Sequence, residues 1–201
     1  MSNRYWIIVV VIAVLAAGAG AYLARASRTA DAPALESGTF LPTPKVLADF
    51  RLVDTKGAPA TVATLRGHPT LVFFGFTHCP EVCPTALFDM SEIFTRLGPD
   101  ADKINALFVT VDPERDTPAA LKDYLSSFDP HLIGVGGDTD ALAAVAKAYR
   151  VYYKKVPLKD GDYTMDHTAI VYLMDKTGAF VAPFSLKRRP EESAADLRRY
   201  F

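Results

Sequence analysis

The longest unbroken apolar stretch, residues 5–24 (YWIIVVVIAVLAAGAGAYLA), carries no charged side chain. Twenty helical residues rise about 30 Å, the hydrocarbon thickness of a bilayer. The stretch exceeds the roughly 7–15 apolar residues of a secretory signal. Residues 1–24 are therefore expected to form a membrane anchor, with a cleaved signal peptide as the alternative. Residues 25–45 turn to Ala, Ser, Thr, Pro and Gly, the composition of a linker. A folded domain is expected over residues 46–201.

Within that domain the pattern changes period repeatedly. Residues 49–65 read as a strand, the turn DTKG and a second short strand, a hairpin-like start. Residues 70–77 (TLVFFGFT) are a continuous run of β-formers, expected for a strand buried on both faces. Leu87, Met90, Phe94 and Leu97 then recur at spacings of three or four, and Gly98 closes that helix. Residues 104–111 (INALFVTV) form a second buried strand, and Thr117-Pro118 opens a helix with Thr as N-cap. Residues 132–135 are a short strand, and Asp138 or Thr139 caps a helix to about Tyr149. Residues 167–174 (HTAIVYLM) and 179–183 are the last strands, joined by the turn DKTG, and Pro190 starts a final helix ending at Phe201. Residues 152–163 (YYKKVPLKDGDY) are polar, contain Gly and lead into His167, so they are expected to be a loop, either a mobile one that carries a ligand residue or a plain solvated one.

Strands alternating with helices define an α/β domain with parallel strand pairs. The tight turn makes the last two strands antiparallel. That order matches a thioredoxin-like fold with an N-terminal β-hairpin addition, preceded by one N-terminal transmembrane helix. Sites in open α/β sheets form outside the carboxyl ends of the strands. Charge adds only an exclusion: 22 basic against 23 acidic side chains give a net charge of -1, which is no footprint for nucleic acid.

The chemistry concentrates in FTHCPEVCPTAL, residues 76–87, which holds both cysteines of the chain. Two cysteines are too few for a disulfide scaffold. Cys79 and Cys83 stand at the carboxyl end of the first buried strand, each followed by proline. Inside a helix Pro84 would clash with the carbonyl of Pro80, so the helix is expected to begin at Pro84 with Cys83 beside its N-cap. The helix N-terminus is then expected to favour thiolate at both sulfurs. A redox pair, a metal site and two buried structural thiols all remain open at this point.

FGFTHCPEVCPTAL, with DFRLVDTKG upstream, TVDPERDTP downstream and DHTAIVYLMD later, resembles the Sco/SenC family of copper-binding thioredoxin-like proteins over about residues 40–200. The resemblance implies one copper ion, Cu(I) or Cu(II), held by Cys79, Cys83 and His167. Two soft sulfurs and one imidazole suit Cu(I) and leave an open side for transfer. His167 also stands before the strand where thioredoxin-like reductases place a cis-proline against their cysteines. The family's implied role is to deliver copper to, or prepare the cysteines of, the dinuclear copper site of cytochrome c oxidase. Its implied partners are the oxidase's copper-binding subunit, a copper donor and a thioredoxin-like reductant.

The competing function is enzymatic: a membrane-anchored thiol-disulfide oxidoreductase in which Cys79 attacks and Cys83 resolves. The extra residue in the turn and the His at the proline position speak against it. A peroxidase reading is weaker still, because no arginine is marked near Cys79. Among the other histidines, His78 is expected to be a tuning or surface residue, His68 exposed and His131 structural. Asp166 either orients His167 or simply ends a loop. Asp112 and Asp116 divide between ordering the site or a partner and plain turn and cap duties. Arg188-Arg189 and Arg198-Arg199 are expected to be solvated. Arg4 precedes the anchor while Arg25 and Arg28 follow it, so the basic count does not itself favour export. The segment is neither amphipathic nor Arg-rich as a transit peptide would be. The expected location is a bacterial inner membrane with the domain in the periplasm.

Overall fold

The apolar run beginning at Thr70 forms strand β2, Thr70–Gly75, and all six of its residues are buried. A computed structural model of the chain describes residues 52–61, 66–159 and 161–201. The expected anchor, the linker and the first residues of the N-terminal hairpin lie outside the described residues. Among the described residues no helix is long and apolar enough to cross a membrane.

The elements follow in chain order: β1 (Leu52–Asp54), β2, α1 (Val82–Leu97), a 3-10 turn (Gly98–Lys103), β3 (Asn105–Thr110), α2 (Pro118–Leu125), β4 (Leu132–Gly137), α3 (Thr139–Ala148), β5 (Tyr153–Pro157), β6 (Tyr163–His167), β7 (Val171–Met174), β8 (Phe180–Phe184), α4 (Pro190–Leu197) and a closing 3-10 turn (Arg198–Tyr200). Six strands form one sheet in the order β1-β4-β3-β2-β7-β8, and β5 pairs with β6 in a separate ribbon. Strands β2, β3 and β4 are parallel, as the alternation requires. Strands β7 and β8 are antiparallel around the expected turn, where the Asp175 carboxylate accepts from the Thr177 and Ala179 amides.

Side chains alternate between the faces of the sheet. Phe73 packs on Phe108 on the face that Cys83 of α1 approaches. Leu121 and Leu125 of α2 lie over Gly134 on the same face. Phe74 meets Tyr149, at the end of α3, on the opposite face. Both faces are thus covered, which is why the strands read as continuous apolar runs. Each fully buried Phe contributes about 1.5–3 kcal/mol over an exposed one. α4 packs on α1, and Arg198 donates to the carbonyls of Arg96 and Leu97 at the end of α1. Arg198 is therefore a cap as well as a surface charge.

Four local expectations change. The turn after β1 is present, yet β1 pairs with β4, and only a single bridge, Val53 to Pro59, closes a hairpin among the described residues. Helix α1 starts at Val82 with Glu81 as N-cap, two residues before Pro84. Proline is tolerated there because the first amides of a helix have no partner. The Pro80 carbonyl lies outside the helix, so no clash arises. The run from His167 to Met174 is two elements, because Thr168 exchanges hydrogen bonds with Tyr152 (2.9 and 3.0 Å) and leaves the sheet direction. Residues 152–163 are mostly hairpin, paired from Tyr153 with His167 to Pro157 with Tyr163. None of the ribbon's residues is fully buried, so it carries no strong apolar period to read.

Candidate metal centre

Strand β2 ends at Gly75 and delivers the segment carrying Cys79. The first turn of α1 delivers Cys83, and the last residue of β6 is His167. Their ligand atoms all lie within 4.8 Å of one another. Cys83 Sγ is 3.7 Å from His167 Nε2. The Cys83 N–H donates to Cys79 Sγ at 3.3 Å, and the Cys79 N–H donates to the Phe76 carbonyl at 3.2 Å. Cys79 is half-buried and Cys83 fully buried, and both are free thiols.

His167 is oriented from behind. Its Nδ1 faces the Thr168 carbonyl at 3.2 Å. A carbonyl only accepts, so Nδ1 carries the proton and the Nε2 lone pair faces the sulfurs. Phe76 meets the imidazole edge-on at 5.7 Å and Phe73 at 6.5 Å. Burial lowers the His167 pKa below its ordinary value, against the opposing Thr168 carbonyl and Asp166 charge. The ring is therefore neutral at neutral pH, the form that binds a metal. Asp166 acts only through its charge: it is exposed, and the orienting hydrogen bond goes to Thr168 instead.

The expected thiolate pair is corrected at one sulfur. Burial pushes the Cys83 thiol far up, with the Cys79 charge adding to it, and a hydrogen bond from the Phe76 backbone opposing without prevailing. Desolvation outweighs the helix N-terminus at this sulfur. A soft cation held at the site would displace that proton, since a coordinating thiol is deprotonated outright.

The loop after β3 orders both sides. Asp116 is buried and accepts from the Thr77 amide (3.0 Å), the Thr77 hydroxyl (2.6 Å) and the Thr110 hydroxyl (2.6 Å). Thr117, not Asp116, caps α2. Asp112 is buried and accepts from Arg115 Nε (2.6 Å) and the Tyr163 hydroxyl (2.8 Å). Their backbones also make the turn, Asp116 N–H donating to the Asp112 carbonyl, so both duties are met.

The other histidines stand apart. His78 is exposed and faces the Thr77 hydroxyl, and His68 is exposed. His131 stacks on Phe94 and meets Asp129 and Asp102, a structural role. Sequence reasoning assigned no role of their own to Gly75, Arg115, Tyr163 and Thr168. Gly75 had a legible signal, a glycine inside an otherwise bulky buried run, and Arg115 lies in the 112–116 loop weighed for ordering the site.

A parallel-centred sheet with a cysteine pair at the first turn of the helix after β2, and a histidine brought to it from a hairpin, defines a thioredoxin-like protein with a two-sulfur, one-nitrogen cluster. The SCO1/SenC family model matches residues 40–201, and the chain belongs to that family. It is 37% identical over 200 residues to an SCO2-like protein of Rickettsia conorii, covering 98% of this chain and 97% of that one. It is 39% identical over 155 residues to the mitochondrial SCO2 homolog of Mus musculus, covering 76% of this chain and 61% of the mouse protein. Copper-bound ScoI of Bradyrhizobium japonicum is similar at a TM-score of 0.74 and 64% identity, over 76% of this chain and 97% of that one. Copper-bound yeast Sco1 is similar at 0.68 and 35%, over 75% and 85% of the two chains.

Proposed function

We propose that the protein is a copper chaperone of oxidase assembly. It binds one copper ion through Cys79, Cys83 and His167 and delivers it to, or prepares the cysteines of, the dinuclear copper site of cytochrome c oxidase. The observation that carries this reading is the convergence of two sulfurs and one aimed imidazole nitrogen within 4.8 Å. Two soft donors and one borderline donor select Cu(I) over hard cations. The copper-bound state of the Bradyrhizobium and yeast relatives supports the same cargo. Cys79 is the half-exposed ligand, so the acceptor, the oxidase's copper-binding subunit, approaches from its side. A copper donor and a thioredoxin-like reductant complete the set of partners. Residues 1–24 anchor the chain in a bacterial inner membrane, 25–45 are the tether, and the domain from 46 onward works in the periplasm.

A second reading draws on the two free thiols, one half-exposed and one buried beside it. Cys79 Sγ attacks a partner disulfide, forming a mixed disulfide and releasing one partner thiol. Cys83 Sγ then attacks Cys79, forming the internal disulfide and releasing the second partner thiol. Two electrons pass to the partner, and the same cysteines serve both readings.

The test is a titration of the reduced, full-length chain with Cu(I) without oxygen, beside His167→Ala. The expected result is one tightly held ion in the parent and a loss in the variant beyond the about 10- to 100-fold of an outer-shell change. Equal affinity in the two proteins refutes the three-ligand site. Vigorous reduction of a disulfide in an oxidase copper-subunit peptide, with negligible copper affinity, selects the reductase instead.

A further inference from the structure

His167 stands at the end of a ribbon that is not part of the main sheet. An isolated two-stranded hairpin is marginally stable by itself. Its own pairing therefore does not fix His167 relative to the sulfurs; the side chains tying the ribbon to the domain do. Several of those ties come from one loop. Arg115 Nη1 donates to the Tyr163 carbonyl at 2.9 Å and reaches Asp162 at 3.3 Å. The Tyr163 hydroxyl donates to Asp112 at 2.8 Å, and Lys155 pairs with Glu114 at 2.6 Å. The Lys155–Glu114 pair is exposed, and such pairs contribute little. The Arg115 contacts are sheltered, with its side chain only 15% exposed.

We propose that Arg115 is a positioning residue for His167: it pins the start of β6 and backs the Phe76 ring, and so sets the imidazole against the two sulfurs. The inference rests on the reading of His167 as a copper ligand. The guanidinium lies 3.7 Å over the Tyr163 ring centroid and 6.0 Å from that of Phe76, whose ring meets the imidazole edge-on at 5.7 Å. Its fork is used in two directions, Nε to Asp112 and Nη1 to the β6 backbone. A lysine, a point charge on a flexible stem, cannot reproduce that. Among the described residues Nη2 has no hydrogen-bond partner. Tyr163 and His167 are the two ends of β6, roughly 13 Å apart, so a tilt of about 10° at Tyr163 displaces the imidazole by roughly 2 Å. Through Asp116 and Thr77 the same loop also holds the segment leading to Cys79. One loop thereby sets the histidine and the sulfurs in a common frame.

The test is a cycle of four full-length proteins: parent, Arg115→Gln, His167→Ala and the double variant, each competed for Cu(I) against a chelator. Arg115→Gln should weaken binding about 10- to 100-fold, as outer-shell changes do. In the His167→Ala background the same change should alter affinity by less than about twofold, because a residue acting through His167 has nothing left to act on. An unchanged affinity in Arg115→Gln, or the same loss in both backgrounds, overturns the proposal. If His167→Ala itself binds like the parent, the three-ligand reading fails first and takes this inference with it. Metal-free amide exchange supplies the second readout: Arg115→Gln should speed exchange in β5 and β6 and leave α1 and β3 unchanged. A uniform acceleration would mark a general loss of stability and overturn the positioning role.

Discussion

At Gly75 a single missing methyl group decides whether the site can form. A Cβ there would lie 2.8 Å from Cys83 Sγ and 2.6 Å from Phe108 Cε2. Both neighbours are fully buried, so neither can swing into solvent to make room. Gly75→Ala is expected to lose about 1–3 kcal/mol by overpacking and to displace Cys83. Denaturant unfolding and Cu(I) affinity measured together check this: both should fall, and an unchanged midpoint would show that the sulfur relaxes freely. Cys83 shows a different limit of local reasoning. The helix N-terminus was legible to within two residues from Pro84 and the spacing that follows it, yet the thiol's depth was not, and depth prevails in its proton affinity.

Helix α1 and the start of β4 are joined by His131, an element-scale clasp remote from the metal centre. Its ring stacks on Phe94 at 5.3 Å, its Nδ1 meets Asp129 at 2.6 Å and its Nε2 meets Asp102 at 3.2 Å. Burial would lower its pKa, yet the two carboxylates outweigh it and the net shift is upward. A raised histidine stabilises the fold fully below the unfolded value of about 6.5, and the gain is lost as pH rises through the folded value. His131→Gln should therefore destabilise more at about pH 5.5 than at about pH 9. Melting curves of parent and variant at both values check the sign, and an equal difference would contradict it. Elements like these were legible in proportion to their apolar period. β2, β3, α1, α2 and α3 carry strong periods or caps, and Thr117 and Asp138 cap α2 and α3 through their side chains. The β5–β6 hairpin has only exposed and half-buried side chains, so its pairing is set by turn and partner contacts that no short window of sequence contains.

Across the whole molecule, the proposed function depends on bringing together residues 84 positions apart, Cys83 and His167. Family motifs made the three proposed ligands legible as a set. The contacts that hold them in register were not legible, because Arg115 and Tyr163 look like ordinary loop residues until the ribbon folds back onto the loop after β3. These three side chains alone are proposed to supply the protein's ligands to one copper ion. X-ray absorption of the Cu(I)-loaded full-length chain tests this most directly. Two sulfur neighbours and one imidazole nitrogen are expected in the parent, with the nitrogen absent and both sulfurs kept in His167→Ala. A shell of sulfur only in the parent, or a nitrogen that persists in His167→Ala, would contradict it.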